Sequence, residues 1–257
     1  MAPLRALLGL AVGFGLAFGS HLLVLGAVFE DAALPIAGVV GVIGGAYSAL
    51  AFGRGVYVVR PLSIVGYVLD MTWSMLNTVA AFVVWIPACT IVGSFVTPDA
   101  LSRRSGAFVF TKNPRGGGYA ATTIGTTIGG GWSSHEEIHV WQGRLFGPLY
   151  MPSYMVSLLL NMLVRVVTGK VQSLTLEAYY RICFEDWAYA GGSESGGAVR
   201  WQSWALWLVL TAFYVGLIVL IVVGITGGGL LLALLGVAAL IVYSVVRAFT
   251  PAPARRF

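Results

Sequence analysis

Residues 6–29 read ALLGLAVGFGLAFGSHLLVLGAVF, 24 positions without an acid, a lysine or an arginine. About 20 apolar residues cross a hydrocarbon core as a helix, so this stretch alone predicts a span. Arg5 before it resembles the basic start of a signal peptide, but the apolar run continues past Gly19-Ser20, which predicts a retained helix. The rest of the chain repeats the pattern. Residues 32–53 are uncharged, with Glu30 and Asp31 in the tight loop before them. Residues 61–98 are interrupted only by Asp70, and Pro87 is expected to end or kink that helix. Leu145–Val164 is a fourth apolar run. Trp201–Val246 is charge-free for two helix lengths, and Thr226-Gly227-Gly228-Gly229 divides it into a helical hairpin.

Composition agrees. Of 257 residues 58% are hydrophobic and 10% charged, with a mean hydropathy of +0.87. Soluble domains carry about 25% charged residues, so an ordinary globular enzyme is excluded. Two cysteines, Cys89 and Cys183, exclude a disulfide scaffold. The net charge of +5 is spread over loops, which points to lipid headgroups and topology rather than to nucleic acid. The expectation is a mainly α, polytopic helical membrane protein with about six hydrophobic segments. It divides into N-terminal spans (1–98), a polar-rich core (99–200), and a C-terminal hairpin with a basic tail (201–257). Arg5, Arg54, Arg60, Arg247, Arg255 and Arg256 favour the cytoplasmic side for both termini.

Two stretches are not membrane-like. Residues 99–132 hold Ala107–Thr111, then Pro-Arg-Gly-Gly-Gly at 114–118, then Tyr119–Ile128, which reads as a short β-hairpin. Thr-Thr-Ile-Gly occurs twice, at 122–125 and 126–129. Residues 170–200 have helical spacing as far as Ala190, where Gly191-Gly192-Ser193 ends the helix.

Directly after the predicted hairpin comes Ser133-Ser134-His135-Glu136-Glu137-Ile138-His139. Spacing of four puts His135 and His139 on one helical face, where both ring nitrogens can bind one Zn²⁺. Glu136 lies beside them, positioned to take a proton from an attacking water and pass it to a leaving amine. Ser133 or Ser134 suits the N-cap. The chain has only three histidines and two fall at this spacing. The plain alternative is an amphipathic helix whose His and Glu are merely solvated.

On these residues the chain resembles the zincins, and among them the membrane-integrated metallopeptidases of the CAAX prenyl protease and HtpX kind. The longer string His-Glu-x-x-His-Val-x-Gln, with Gly147-Pro148-Leu149 and Phe184-Glu185-x-x-Ala188, is also similar to a group of bacterial membrane proteins. The resemblance covers about residues 105–190. It implies a third zinc ligand, a glutamate on a later helix, often with an acid four residues on. Glu185 fits that place, and the position four residues on is Tyr189. Glu177, Arg181 and Glu185 would equally make a solvated ion-pair ladder. The other acids outside the motif are Glu30, Asp31, Asp70, Asp99, Glu177, Asp186 and Glu194, with Glu177 and Asp70 in reserve.

Asp70 interrupts an apolar helix, with Ser74 and Asn77 on the same face; an ionisable group there is a functional candidate by default. It reads either as helix-to-helix hydrogen bonding or as a partner behind a zinc-bound histidine. His21 reads as a packed residue, and Gln142 and Arg144 as structural. Tyr179, Tyr180, Tyr189 and His21 could stabilise an oxyanion, and nothing in the sequence selects one. Alternating topology would put the motif and Glu185 on opposite sides of the membrane. One segment is therefore expected not to cross completely, either the Pro-containing end of 61–98 or Leu145–Val164.

The function expected is an integral-membrane zinc endopeptidase in a bacterial cytoplasmic membrane, acting on membrane or membrane-adjacent proteins. Its site would be His135, His139 and Glu185 on zinc, with Glu136 activating the water. The alternative is a non-catalytic multi-pass protein, an assembly factor or degenerate peptidase with a structural metal. Histidine-box desaturases need more histidines, and no inverted repeat supports a transporter.

Overall fold

A computed structural model describes residues 2–26, 31–116, 121–172 and 174–191, together with 238, 239, 242, 243, 245 and 246. Apart from those last six residues, the predicted hairpin over Trp201–Val246 and the basic tail lie outside the described residues. What is described is mostly helical, with one small sheet. Four helical stretches are long and apolar enough to cross a membrane: Ala2–Gly26, Ala33–Gly53, Met75–Val92 and Ser134–Val167. The chain divides into two units, Met1–Pro148 and Leu149–Phe257.

In the first unit, α1 (Ala2–Gly26) and α2 (Ala33–Gly53) pack along their length through small residues. Gly9, Gly13 and Ala17 of α1 are buried, as are Gly41, Gly44, Gly45 and Ser48 of α2. A Cβ on Gly13 would lie 2.1 Å from Ser48 Oγ, so only glycine permits that approach. Such close approach of the two backbones brings them into extensive dispersion contact.

The third apolar segment differs from expectation. It breaks after Asp70, not at Pro87. Helix α3 (Pro61–Met71) ends where Ser74 N–H donates back to the Leu69 carbonyl at 2.7 Å. Helix α4 (Met75–Ala80) then begins and continues through a π turn, Ala81–Trp85, into α5 (Ile86–Val92). The π turn directly precedes Pro87 and takes up the missing N–H and the ring's bulk, so the helix runs on through the proline. Asp70 thus ends one helix, whereas Ser74 caps and Asn77 opens the next. The three do not share one continuous face.

After α6 (Ala100–Ser105) comes a three-stranded sheet: β1 (Phe108–Phe110), β2 (Thr122–Ile124) and β3 (Thr127–Gly129), in the order β1-β3-β2. This corrects the predicted hairpin. Residues 108–110 are not the antiparallel partner of the strands that follow; β1 runs parallel to β3, with Val109 opposite Ile128. The hairpin is formed by the Thr-Thr-Ile-Gly repeat itself, β2 against β3, with Thr123 opposite Ile128. Its turn is Gly125-Thr126. Gly125 has φ 55°, and a Cβ there would lie 2.2 Å from the Asn77 carbonyl oxygen, so the position admits only glycine.

Helix α7 (Ser134–Phe146) follows, and a short 3-10 turn, Gly147–Leu149, ends it. Ser133 is the N-cap, its Oγ accepting from Glu136 N–H at 3.2 Å.

The second unit contains α8 (Tyr150–Val167), α9 (Leu174–Tyr179) and α10 (Cys183–Gly191). The helix expected up to Ala190 is therefore two, separated by a turn at 180–182. Asn161 on α8 donates to the Ala178 carbonyl at 3.2 Å, and Arg165 and Arg181 both approach Glu177, at 4.0 and 3.6 Å.

Candidate metal centre

Helix α7 places His135 and His139 as their spacing predicts, with Nε2 of one 3.1 Å from Nε2 of the other. Both rings are buried, at 8% and 6% exposure. Two nitrogens on a tetrahedral zinc, each about 2.05 Å from the ion, lie about 3.3 Å apart. The observed separation suits two ligands of one ion and equally a hydrogen bond between the two rings. The orientation of the His139 ring is fixed from behind: Nδ1 lies 2.8 Å from Gln142 Oε1, an acceptor, so Nδ1 carries the proton and Nε2 presents its lone pair. Gln142 is fully buried.

Glu136 is also buried, and its Oε2 accepts from the Thr123 hydroxyl of β2 at 2.5 Å. The sheet thereby orients the carboxylate. In the second unit, Glu185 on α10 is 1% exposed and accepts from the Tyr154 hydroxyl of α8 at 2.6 Å. Such burial excludes the solvated ladder for Glu185, although Glu177 and Arg181 do pair. His135, His139 and Glu185 each offer a ligand atom, and as a group they could hold a metal ion. Two imidazoles and a carboxylate are a donor set that zinc accepts, leaving the fourth position open.

Asp70 stands elsewhere. Its carboxylate faces Arg144, five residues beyond His139 on α7: Nε donates to Oδ1 at 2.9 Å and Nη2 to Oδ2 at 2.7 Å. Both side chains are at most 1% exposed. The remaining guanidinium donors reach the carbonyls of Ser105 and Gly106, and the Tyr57 hydroxyl donates to Asp70 Oδ2 at 2.6 Å. Burial, with the Asp70 carboxylate beside it, holds the Tyr57 phenol well above its ordinary pKa, so it remains a donor. Tyr47, bonded to Thr126 Oγ1 at 2.7 Å, lies 2.9 Å from Tyr57 and links the network to the sheet. Gly66 makes room for it, since a Cβ there would meet the Arg144 guanidinium at 2.8 Å.

Ser74 and Asn77 serve the same helix from its far end. Ser74 Oγ donates to the Gly143 carbonyl at 2.9 Å, and Asn77 Nδ2 to those of Gly143 and Gly147 at 3.0 and 2.7 Å. These carbonyls lie at the C-terminal end of α7, where that of Gly143 also accepts from the Gly147 N–H of the cap. Asp70, Ser74 and Asn77 thus hold the motif helix, through its backbone and Arg144.

The other candidates are placed as follows. Tyr189 packs on Tyr180, with ring centroids 6.0 Å apart, and Tyr179 on Tyr180 at 5.2 Å. His21 bonds its own helix, with Nδ1 2.9 Å from the Ala17 carbonyl. Sequence reasoning missed Thr123 and Tyr154 and undervalued Gln142. Only Gln142 carried a signal, being three residues beyond His139 on the same face. No protein-family profile, curated protein or solved structure matches the chain.

Proposed function

We propose that this chain is a membrane-embedded, zinc-dependent endopeptidase whose substrates are membrane or membrane-adjacent proteins. The observation that carries the reading is the facing pair of Nε2 atoms 3.1 Å apart, with the buried Glu136 carboxylate in the same helical turn. His135, His139 and Glu185 would hold the metal, and zinc when bound would supply Lewis acidity toward the scissile carbonyl. The resemblance to membrane zincins of the CAAX prenyl protease and HtpX kind agrees with this assignment.

The chain's own residues carry the proton. Glu136 accepts it from the attacking water and returns it to the amide nitrogen as the C–N bond breaks, giving a carboxylate and an amine. The Thr123 hydroxyl keeps the carboxylate directed. Strand β2 lies at an edge of the sheet among the described residues, and an extended peptide added there would lie alongside Glu136. Leu7, Leu23, Val42 and Leu159 are each more than half exposed, which suits helices surrounded by acyl chains rather than water. A bacterial cytoplasmic membrane is part of the same proposal.

The test is proteolysis in liposomes containing purified protein, with membrane-protein substrates and new N-termini read by mass spectrometry. Glu136→Gln is expected to lower the cleavage rate by about 10²–10⁴-fold. A strong chelator should abolish cleavage and added zinc restore it. Equal cleavage by wild type and Glu136→Gln would overturn the reading.

A further inference from the structure

A crevice of about 410 Å³ opens along α1, far in sequence from the motif. Leu8, Gly9 and Val12 of α1, Phe52 at the end of α2, and Tyr57–Val59 of the following loop line it. Among the described residues, its one charged lining residue is Arg5. Arg5 stands at the rim, in the first turn of α1; Val12 is seven residues further on, about 10 Å deeper along the helix axis. Arg54 and Arg60 flank the loop that closes the same end of the helix pair. Asp31 is at the opposite end. The lining therefore has a cation at headgroup level and an apolar trough beneath it.

We propose that this crevice binds one anionic phospholipid, its phosphate at Arg5 and one acyl chain along Leu8, Val12, Phe52 and Val58. Charge complementarity selects the headgroup, and the depth of the apolar wall selects a chain. A small water-soluble anion would leave the trough unfilled, and a neutral hydrocarbon would leave Arg5 unused. Tyr57, the same residue that donates to Asp70, is part of the lining, so the bound chain lies against the network that holds α7. The inference rests on α1 and α2 lying in a bilayer, not on the metal reading. Alkaline carbonate extraction of membranes containing the full chain tests that premise separately.

The experiment is native mass spectrometry of the purified chain in a non-ionic detergent. It is titrated in parallel with phosphatidylglycerol and phosphatidylcholine of identical acyl chains. Wild type is expected to retain one phosphatidylglycerol with about fivefold preference, the effect of one arginine beside a headgroup. Arg5→Gln should remove the preference while retaining both lipids weakly. Val12→Trp, which fills the trough, should remove retention of both. Leu10→Trp lies outside the lining and should leave binding unchanged. Equal retention of the two lipids by wild type, or a preference that survives Arg5→Gln, would overturn the proposal. Arg5 is exposed, so its substitution removes no buried contact and its result stands even if Val12→Trp fails to fold.

Discussion

Behind His139 stands Gln142, whose Oε1 accepts a hydrogen bond from Nδ1–H and so turns Nε2 toward His135. Replacing it by Leu removes the acceptor but not the helix. Partners of this kind change metal affinity by about 10–100-fold, and Gln142→Leu is expected to weaken zinc binding by that factor in a competition titration. Unchanged affinity would show that the ring is oriented by packing alone. Thr123 bears on the proton transfer proposed for Glu136, to whose carboxylate it donates. Thr123→Val is close in shape and deletes the hydroxyl that holds Glu136, so turnover should fall by about tenfold, one lost hydrogen bond to a charged group, with zinc content unchanged. Of these two residues only Gln142 was legible, because a helix converts a spacing of three into a shared face. Thr123 meets Glu136 through the packing of a strand on a helix, and no local pattern records that.

At the scale of elements, α7 is held from several sides. Arg144 anchors it to Asp70, and Ser74 and Asn77 bind its last carbonyls. Removing one partner of a buried ion pair costs about 3–5 kcal/mol, so Asp70→Asn should destabilise the chain by that amount in an unfolding titration. Asp70→Leu combined with Arg144→Met removes both charges and should recover most of the loss. A double variant no better than Asp70→Asn would mean that the pair is not the principal anchor. The sequence marked Asp70 through the cost of an acid in an apolar run, but its partner lies 74 residues away and could not be read. The sheet shows the same limit. Its strands were visible as β-branched and aromatic runs, whereas their pairing was not. The glycine-rich stretch at 114–118 looked like the turn, yet the turn is Gly125, where the Asn77 carbonyl excludes any side chain.

For the whole molecule, length and charge-free runs foretold the long apolar helices, because that property needs no tertiary information. They did not foretell the break after Asp70, which depends on Ser74 turning back to Leu69. Val42, at the middle of α2, is 63% exposed. An arginine there would be nearly neutral in water but costs about 2.5–3.5 kcal/mol at a bilayer centre. Val42→Arg is accordingly expected to reduce membrane insertion in a glycosylation-mapping assay, and full insertion would contradict a lipid-facing α2.

The central claim is that His135, His139 and Glu185 hold one metal while Glu136 remains available for chemistry. Elemental analysis of purified wild type beside His139→Ala and Glu136→Gln tests it most directly. About one zinc per chain is expected in wild type and in Glu136→Gln, with loss in His139→Ala, as for a site with three protein ligands. Well-folded wild-type protein that takes up no zinc after incubation with the metal would contradict the account.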